Sequence, residues 1–357
     1  RGDIIEFERA LSFSLLDVLT LPQRARVADA TAQANTLRAA GDLVQLAHDV
    51  RAAWVQAVAA HQQASYYADV RTAAETATDL ARRMQSLGSF NKLQRAREQA
   101  FYADAVTQQA RARHAAMAAR ARLVRLLGLD AGQSAQLRLP ARLPDLPAAP
   151  REGKALQQQA FEQRLDVRLA RHLLEATAAE QGLTRVTSWV NALHFGVARN
   201  SETGEPTQRG YEVEVPLPLF DFGDARRAGA QARYLAALNH TAQVAVDARS
   251  QVDESYSAYR TAYDIARHYR DEIVPLRKTI ADENLLRYNG MLIGVFELLA
   301  DARAQVASVI TAIDAEKDFW LADAALDAAL IGRPPASLTT STPRAAPASD
   351  DAAAGGH

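Results

Sequence analysis

The passage Tyr-Glu-Val-Glu-Val-Pro-Leu-Pro-Leu-Phe-Asp-Phe-Gly-Asp-Ala-Arg-Arg, residues 211–227, decides how this chain is read. Tyr211, Val213, Val215, Leu217 and Leu219 alternate with Glu212, Glu214, Pro216 and Pro218, the period of a strand with one apolar face. Asp221 and Gly223 then end the strand and open a basic helix start at Arg226 and Arg227. Residues 7–24 carry a second copy. Phe7, Leu11, Phe13 and Leu15 alternate with Glu8, Ser12 and Ser14, and Asp17 falls where the other copy has Asp221. Each copy leads into a long helical run, so the chain reads as an internal two-fold repeat of a strand-to-helix unit.

Composition narrows the class. Lys plus Arg number 41 against 42 Asp plus Glu, a formal net charge of -1, so no bulk charge draws the chain to nucleic acid. Aromatic residues make up only 6% and alanine dominates the apolar fraction, a composition suited to closely packed long helices. The absence of cysteine removes disulfides, zinc–thiolate sites and cysteine nucleophiles together. The 8 histidines show no paired spacing on a helix face, and no phosphate loop, nucleophile elbow or recurrent carboxylate pair occurs. Metal, cofactor and catalytic readings therefore have no anchor. No stretch approaches the roughly 20 apolar residues of a transmembrane helix, but a β-barrel spans a bilayer with a much weaker hydropathy signal.

Outward from the repeated strands, periodicity lays out the rest. A strand over 4–16 precedes a helix over 23–86, with Pro22 as its start residue. Leu37, Ala40, Val44, Ala47, Trp54 and Val58 form its seam, with Gly41 a weak point. A break at Leu87-Gly88-Ser89 sends a second helix back over 91–128, antiparallel to the first. Residues 129–151 contain Pro140, Pro144, Pro147 and Pro150 and read as a linker. A helix over 152–182 follows, then a hairpin with arms at 185–199 and 209–220 around a polar turn at 200–208. The third long helix spans 224–288 on a seam of Leu235, Leu238, Ala242, Ala245, Val252, Tyr256, Tyr259, Tyr263, Ala266 and Ile273. Pro275 should kink or open it. The tyrosines read as packing. Tyr288-Asn289-Gly290 closes the helix, and a return helix carries Leu299, Ala302, Val306, Val309, Ile313 and Trp320 to about 331. The domain plan is a first repeat at 1–128, a linker or equatorial region at 129–151, a second repeat at 152–331 and a disordered tail at 332–357. If the duplication is complete, about 50 residues preceding Arg1 are missing, including a helix and the partner arm of the first strand.

Four places resemble the outer-membrane efflux proteins of the TolC type. Val215-Pro216-Leu217-Pro218-Leu219-Phe220-Asp221-Phe222-Gly223 with Arg226-Arg227 resembles that family's second barrel exit. Arg164-Leu165-Asp166-Val167-Arg168 resembles its Arg-Pro-Asp-Leu segment with Leu165 in place of proline. Leu87-Gly88-Ser89-Phe90-Asn91 and Tyr288-Asn289-Gly290 through Leu299 resemble the tips of its two long helix pairs.

The resemblance implies a mostly helical homotrimer in which long coiled-coil-like helices form a periplasmic α-barrel and strands from every protomer share one transmembrane β-barrel. It implies a passive exit duct in the outer-membrane lipid, fed by an inner-membrane pump through a periplasmic adaptor. Gly88, Ser89, Asn91, Tyr288 and Gly290 would form the tips that meet the adaptor. Glu297 and Asp301 would ring the periplasmic aperture, with Arg287 and Arg303 near enough in sequence to offset them. Pro216, Pro218, Asp221, Gly223 and Asp17 would mark the junction between barrel and helices. Trp189 and Tyr211 read as an interfacial aromatic belt. The competing reading is a soluble periplasmic coiled-coil scaffold or adaptor-like protein, whose strands would bury one face against their own core.

Overall fold

The computed structural model describes residues 6–86, 91–153, 164–187, 194–202, 208–214 and 223–332. The expectations for Leu87-Gly88-Ser89, Trp189, Pro216, Pro218, Asp221 and the tail beyond Gly332 lie outside them. Strand β1 (Glu6–Ser14) passes directly into α1 (Leu15–Ser86), a helix of 72 residues and so about 108 Å long. Helix α2 (Lys92–Leu127) returns along it. A short α3 (Ala131–Gln136) opens with a capping box, in which Asp130 accepts from the Gln133 backbone and the Gln133 side chain accepts from Asp130 N. Helix α4 (Leu165–Thr187) packs between α1 and α5 (Asp224–His268). A wide π turn at Tyr269–Ile273 joins α5 to α6 (Val274–Asn289), and α7 (Val295–Ile331) returns against α5, α6 and α1.

Boundaries differ from the periodic reading in three places, one being the turn read at 200–208, where residues 200–202 and 208 are strand. Pro22 does not start the first helix but lies inside it, because Leu15 and Leu16 leave the strand and wind at once into α1. Thr187 and the two residues before it belong to α4, so the strand read from 185 is helical there, and β2 begins only at His194. Pro275 acts as expected. Lacking an N–H, it leaves a carbonyl of the preceding turn without its donor, and the backbone widens so that Val274 N donates to Tyr269 O.

The core sits at mid-length, where α1, α2, α5 and α7 meet. Val55, Val58 and Ala59 of α1 pack with Ile313 of α7, while Ala53 and Ala57 meet Leu123 of α2. On the other side Tyr259, Tyr263 and Ala266 of α5 enclose Phe319 and Leu326. The rings of Tyr259 and Phe319 lie 5.5 Å apart and those of Tyr263 and Phe319 5.7 Å, with the second pair edge-on. The first seam lies slightly off its sequence reading: Ala47 is exposed and Gly41 is buried in its place. The second seam packs from Val252 to Ala266, while Leu235 and Leu238 stay 47% and 42% exposed on the protomer.

The proline-rich segment is not a loose linker but a strap across this core. Leu143 and Leu146 are buried in it. Tyr263 Oη donates to the carbonyls of Pro147 and Ala148, Trp320 Nε1 donates to Pro144 O, and Tyr256 Oη donates to Arg151 O. At its end Arg151 and α1's Arg51 both clasp Asp323 and Asp327 of α7. The Asp323 contacts are 2.8 Å and the Asp327 contacts 2.5 Å. Burial nevertheless pushes the Asp323 carboxyl above the ordinary aspartate range, and Asp327 adds to this while the two arginines oppose it.

Arg164 is the most deeply placed charge. Its side chain is fully buried and donates to both oxygens of Asp166, to the carbonyls of Ala248 and Ala329, and to Gln251. Arg168 is exposed, and the ion pair at Asp166 forms with Arg164. Gly332 ends α7 at φ 105 against this group, where a Cβ would lie 2.6 Å from Asp166 Oδ1 and 2.8 Å from Leu165 N. Only glycine fits there.

Candidate functional site

The strands form one sheet in the order β1-β2-β3, with β2 (His194–Glu202) and β3 (Gln208–Glu214) as the expected hairpin. β1 pairs antiparallel with β2, so its partner among the described residues comes from the second half of the chain. The register sorts residues by face. Leu11, Val197 and Tyr211 form one cross-strand row, and Phe13, Phe195 and Val213 the row two residues on. Between and beside them, on the opposite face, stand Ser12, Gly196 and Glu212, then Ser14, His194 and Glu214. One face is therefore apolar and the other polar and small. On the protomer Tyr211 is 81% and Val213 62% exposed, so the apolar side chains of β3 are uncovered. Among the described residues β1 and β3 each pair on one side only, which leaves two open edges.

At the junction below the sheet, Gly223 adopts a left-handed conformation at φ 79, and its carbonyl accepts from Arg227 N at 2.9 Å. Arg227 also pairs with Asp224 one turn back. Asp17 stands in the first turn of α1, not at the end of the strand.

At the far end, α6 closes with Gly290 N donating to Leu286 O. Gly290 itself has φ -79, and the left-handed position falls on Met291 at φ 59. Met291 and Leu292 project 93% and 77% exposed. Tyr288 is half-buried on α6, and Asn91 stands one residue before α2. Glu297 is exposed in the first turn of α7, and Asp301 one turn on accepts from Asn284 of α6.

The arginines do not join these acids within the protomer. Arg303 lies over the Phe101 ring of α2 at 5.0 Å from its centroid, beside Glu98, and Arg287 is exposed. Among the described ion pairs neither arginine meets Glu297 or Asp301. The reason is geometric: α7 turns Arg303 toward α2, whereas Asp301 faces α6. Glu98 is buried, its Oε2 has no hydrogen-bond partner among the described residues, and burial raises its pKa against the pull of Arg303. Sequence reasoning passed over Glu98, Phe101 and Asn284. Glu98 and Phe101 gain a role from Arg303 of α7 reaching α2, and Asn284 from the pairing of α6 with α7.

Solved structures match this arrangement over nearly the whole chain. The CmeC outer-membrane channel of Campylobacter jejuni superposes with a TM-score of 0.81 at 12% identity, covering 94% of this chain and 72% of that one. The MtrE outer-membrane channel of Neisseria gonorrhoeae gives 0.75 at 18% identity over 92% and 80%. The outer-membrane protein VceC of Vibrio cholerae gives 0.76 at 13% identity over 93% and 87%. The fold is that of the TolC-like outer-membrane channels. No family sequence model matches the chain and no curated protein matches it by sequence, so the TolC-like relationship rests on the fold. Among the described residues no helix is long and apolar enough to cross a membrane.

Proposed function

We propose that this chain is the outer-membrane subunit of a tripartite export system, a passive duct that receives its cargo from an inner-membrane pump through a periplasmic adaptor. The observation that carries the reading is the sheet. Tyr211 and Val213 on its apolar face are exposed, its two edges are open among the described residues, and β1 runs straight into a helix about 108 Å long. An open sheet cannot sit in lipid, because its edge N–H and C=O groups would lack partners at several kcal/mol each, on the order of the cost of any buried unpaired polar group. Closure with strands of other copies removes those edges, and three copies would place their helices around one bore. Leu235, Leu238 and Val246, exposed on α5, supply apolar surface for contact between protomers. The scaffold reading asks the strands to pack on a core of their own chain, and the exposure of Tyr211 and Val213 speaks against it.

In this duct Glu297 would face the periplasmic aperture, and the apolar pair Met291 and Leu292 would stand at the tip that meets the adaptor. Extraction that requires detergent, together with a trimer band that collapses on heating, is the expected behaviour. A monodisperse monomer soluble without detergent would sink the proposal. In planar bilayers Glu297→Gln should lower cation preference or cation block of the single-channel current. Unchanged selectivity and block would remove Glu297 from the aperture.

A further inference from the structure

Below α4 the helices of the protomer stand in single file. α2 packs on α1, α1 on α7, and α7 on α5 and α6, so α2 forms one end of the row and α5 with α6 the other. Each end has a second ridge on the side away from its own neighbour. α2 buries Ala105 and Leu123, the latter against α1, and its opposite side presents Thr107, Arg111, His114, Ala118, Ala121 and Arg125, all exposed and stepping by three and four. α5 meets Phe319 of α7 through Tyr259 and Tyr263, and its opposite side presents Glu254, Thr261, Ile265, His268 and Glu272, exposed in the same heptad phase. Ile265 is 47% exposed, and Leu276 at the start of α6 is 61% exposed.

Contacts across the row fix the heights of these ridges. At mid-length Arg122 of α2 donates to Gln56 of α1, Val55 and Val58 beside it pack with Ile313 of α7, and Phe319, under about two turns above Ile313, meets Tyr259 and Tyr263. Farther down, Arg303 of α7 lies over Phe101 of α2, and Asp301 beside it accepts from Asn284 of α6. Arg122 is thus level with the turn from Tyr259 to Tyr263, and Phe101 with Asn284, to within about one turn. α2 runs opposite to α5 and α6. Counting from both anchors sets Thr107 level with Leu276, Arg111 with Glu272, Ala118 with Ile265, and Arg125 with the turn that holds Glu254. A large side chain faces a small one at Ala118, and opposite charges face each other at the two arginines. Among the described residues Arg111, Arg125 and Glu254 have no ion-pair partner in their own protomer, and Glu272 has only His268, at 3.2 Å.

We infer that the α2 ridge receives the α5–α6 ridge of a second copy of this chain, in the antiparallel register that sets Arg111 against Glu272 and Ala118 against Ile265. The inference rests on the duct reading above and adds which faces meet and at what height. A head-to-tail contact of this kind closes a ring when every copy repeats it, and a closed ring allows no axial shift between copies. The two ridges match with no shift, which is why a second copy, and not a foreign helix, is the occupant. The exposed ion pairs contribute little energy but penalise the wrong register. A slip of one heptad would set Arg111 against Ile265.

The chain has no cysteine, so one introduced pair reports one contact. In the full chain extracted in detergent, Ala118→Cys combined with Ile265→Cys should shift on copper-catalysed oxidation from the monomer position to covalent dimer and trimer bands on non-reducing denaturing gels. Either substitution alone should stay at the monomer position. So should Ala118→Cys with Ser250→Cys, which displaces one partner by about 22 Å along α5. Separately, Arg111→Glu should lower the temperature at which the native trimer dissociates, and adding Glu272→Arg should restore most of the loss, which a misfolded variant would not do. A wild-type trimer in which the Ala118 and Ile265 positions do not couple overturns the inference and leaves the duct standing, with the α2 ridge open to a foreign helix. Where the cysteine pair blocks assembly, the charge swap decides, and no restoration overturns the inference. A wild-type monomer overturns the duct and the inference together.

Discussion

The two long helix hairpins of this chain reach the same architecture by different means. In the first, α1 runs unbroken through Pro22, and its contacts with α2 are made largely by alanines, Ala53 and Ala57 against Leu123. In the second, the helix opens at Tyr269–Ile273 ahead of Pro275, and the contact with α7 is made by tyrosines around Phe319. The prolines differ in what surrounds them. Val18 and Leu21 beside Pro22 are 64% and 63% exposed, so water can reach the carbonyl that the ring deprives of a donor. Ahead of Pro275, Tyr269 packs on the aromatic core and its carbonyl accepts from Val274 N, so the backbone widens over Tyr269–Ile273, although Arg270, Asp271 and Glu272 are as exposed as the turn before Pro22. The alanine hairpin permits close approach and uniform rise, whereas the aromatic one fixes a single position.

The largest expected effect is at the group that ties the second hairpin to α4. Arg164→Ala would strand Asp166 and the carbonyls of Ala248 and Ala329, and should cost about 3–5 kcal/mol in denaturant unfolding of the detergent-solubilised protein. A loss below about 1 kcal/mol would show the network to be dispensable.

Next comes the contrast between the cores. Phe319→Ala should destabilise by about 3–5 kcal/mol and Leu123→Ala by less, toward the lower end of about 2–5 kcal/mol. Equal losses would dissolve the distinction between an aromatic and an alanine-packed hairpin.

A smaller effect depends on pH. Glu98 of α2 has a folded pKa raised by burial, so the folded state holds the proton more tightly than the unfolded chain. Stability is then lost as pH rises from the ordinary glutamate range through the raised value. Glu98→Gln should gain about 1 kcal/mol over the wild type at pH 8 and nothing near pH 4, read from thermal unfolding at each pH. A gain independent of pH would place the effect elsewhere.

The smallest change concerns the prolines. Pro275→Ala should slow amide exchange across Arg270 to Ile273 as the turn returns to α-helix, whereas Pro22→Ala should leave exchange over the turn before it close to unchanged. Net stability should move by no more than about 1 kcal/mol in either variant.

The same comparison shows what was legible in the sequence. The helix pairs, the turn at Tyr288 to Gly290, the disturbance at Pro275 and the packing role of Tyr259 and Tyr263 all follow from local periodicity and from proline's missing donor. Pro22 looks like a helix start because it stands in the exposed early part of α1, about two turns in. The strand expected from 185 failed because Arg185, Val186 and Thr187 suit either state, and contact with α1 and α5 decides for helix. Pairing of β1 with β2 depends on a tertiary meeting of distant segments that no local pattern encodes. At the tip, Glu297 and Asp301 could be singled out as acids near a turn. That Arg303 faces Phe101 instead depends on which helix passes behind it.

The strap has a consequence for how the molecule forms. Leu146 is covered, and the backbone of Pro144, Pro147 and Arg151 is bonded, by α5 and α7, elements that follow them in the chain, while Leu143 packs on Val55 and Val58 of α1 and donates its N–H to Gln62. The clasp of Arg51 on Asp327 spans a separation of 276 residues. Contacts so distant must overcome a large loop-closure entropy and come late in folding. During synthesis the Leu143 end of the strap can settle on α1, while the segment from Pro144 to Arg151 waits for α5 and α7 to emerge from the ribosome. That makes α7 the latch of the protomer, and it makes the half-made chain a client for holding chaperones until the latch arrives.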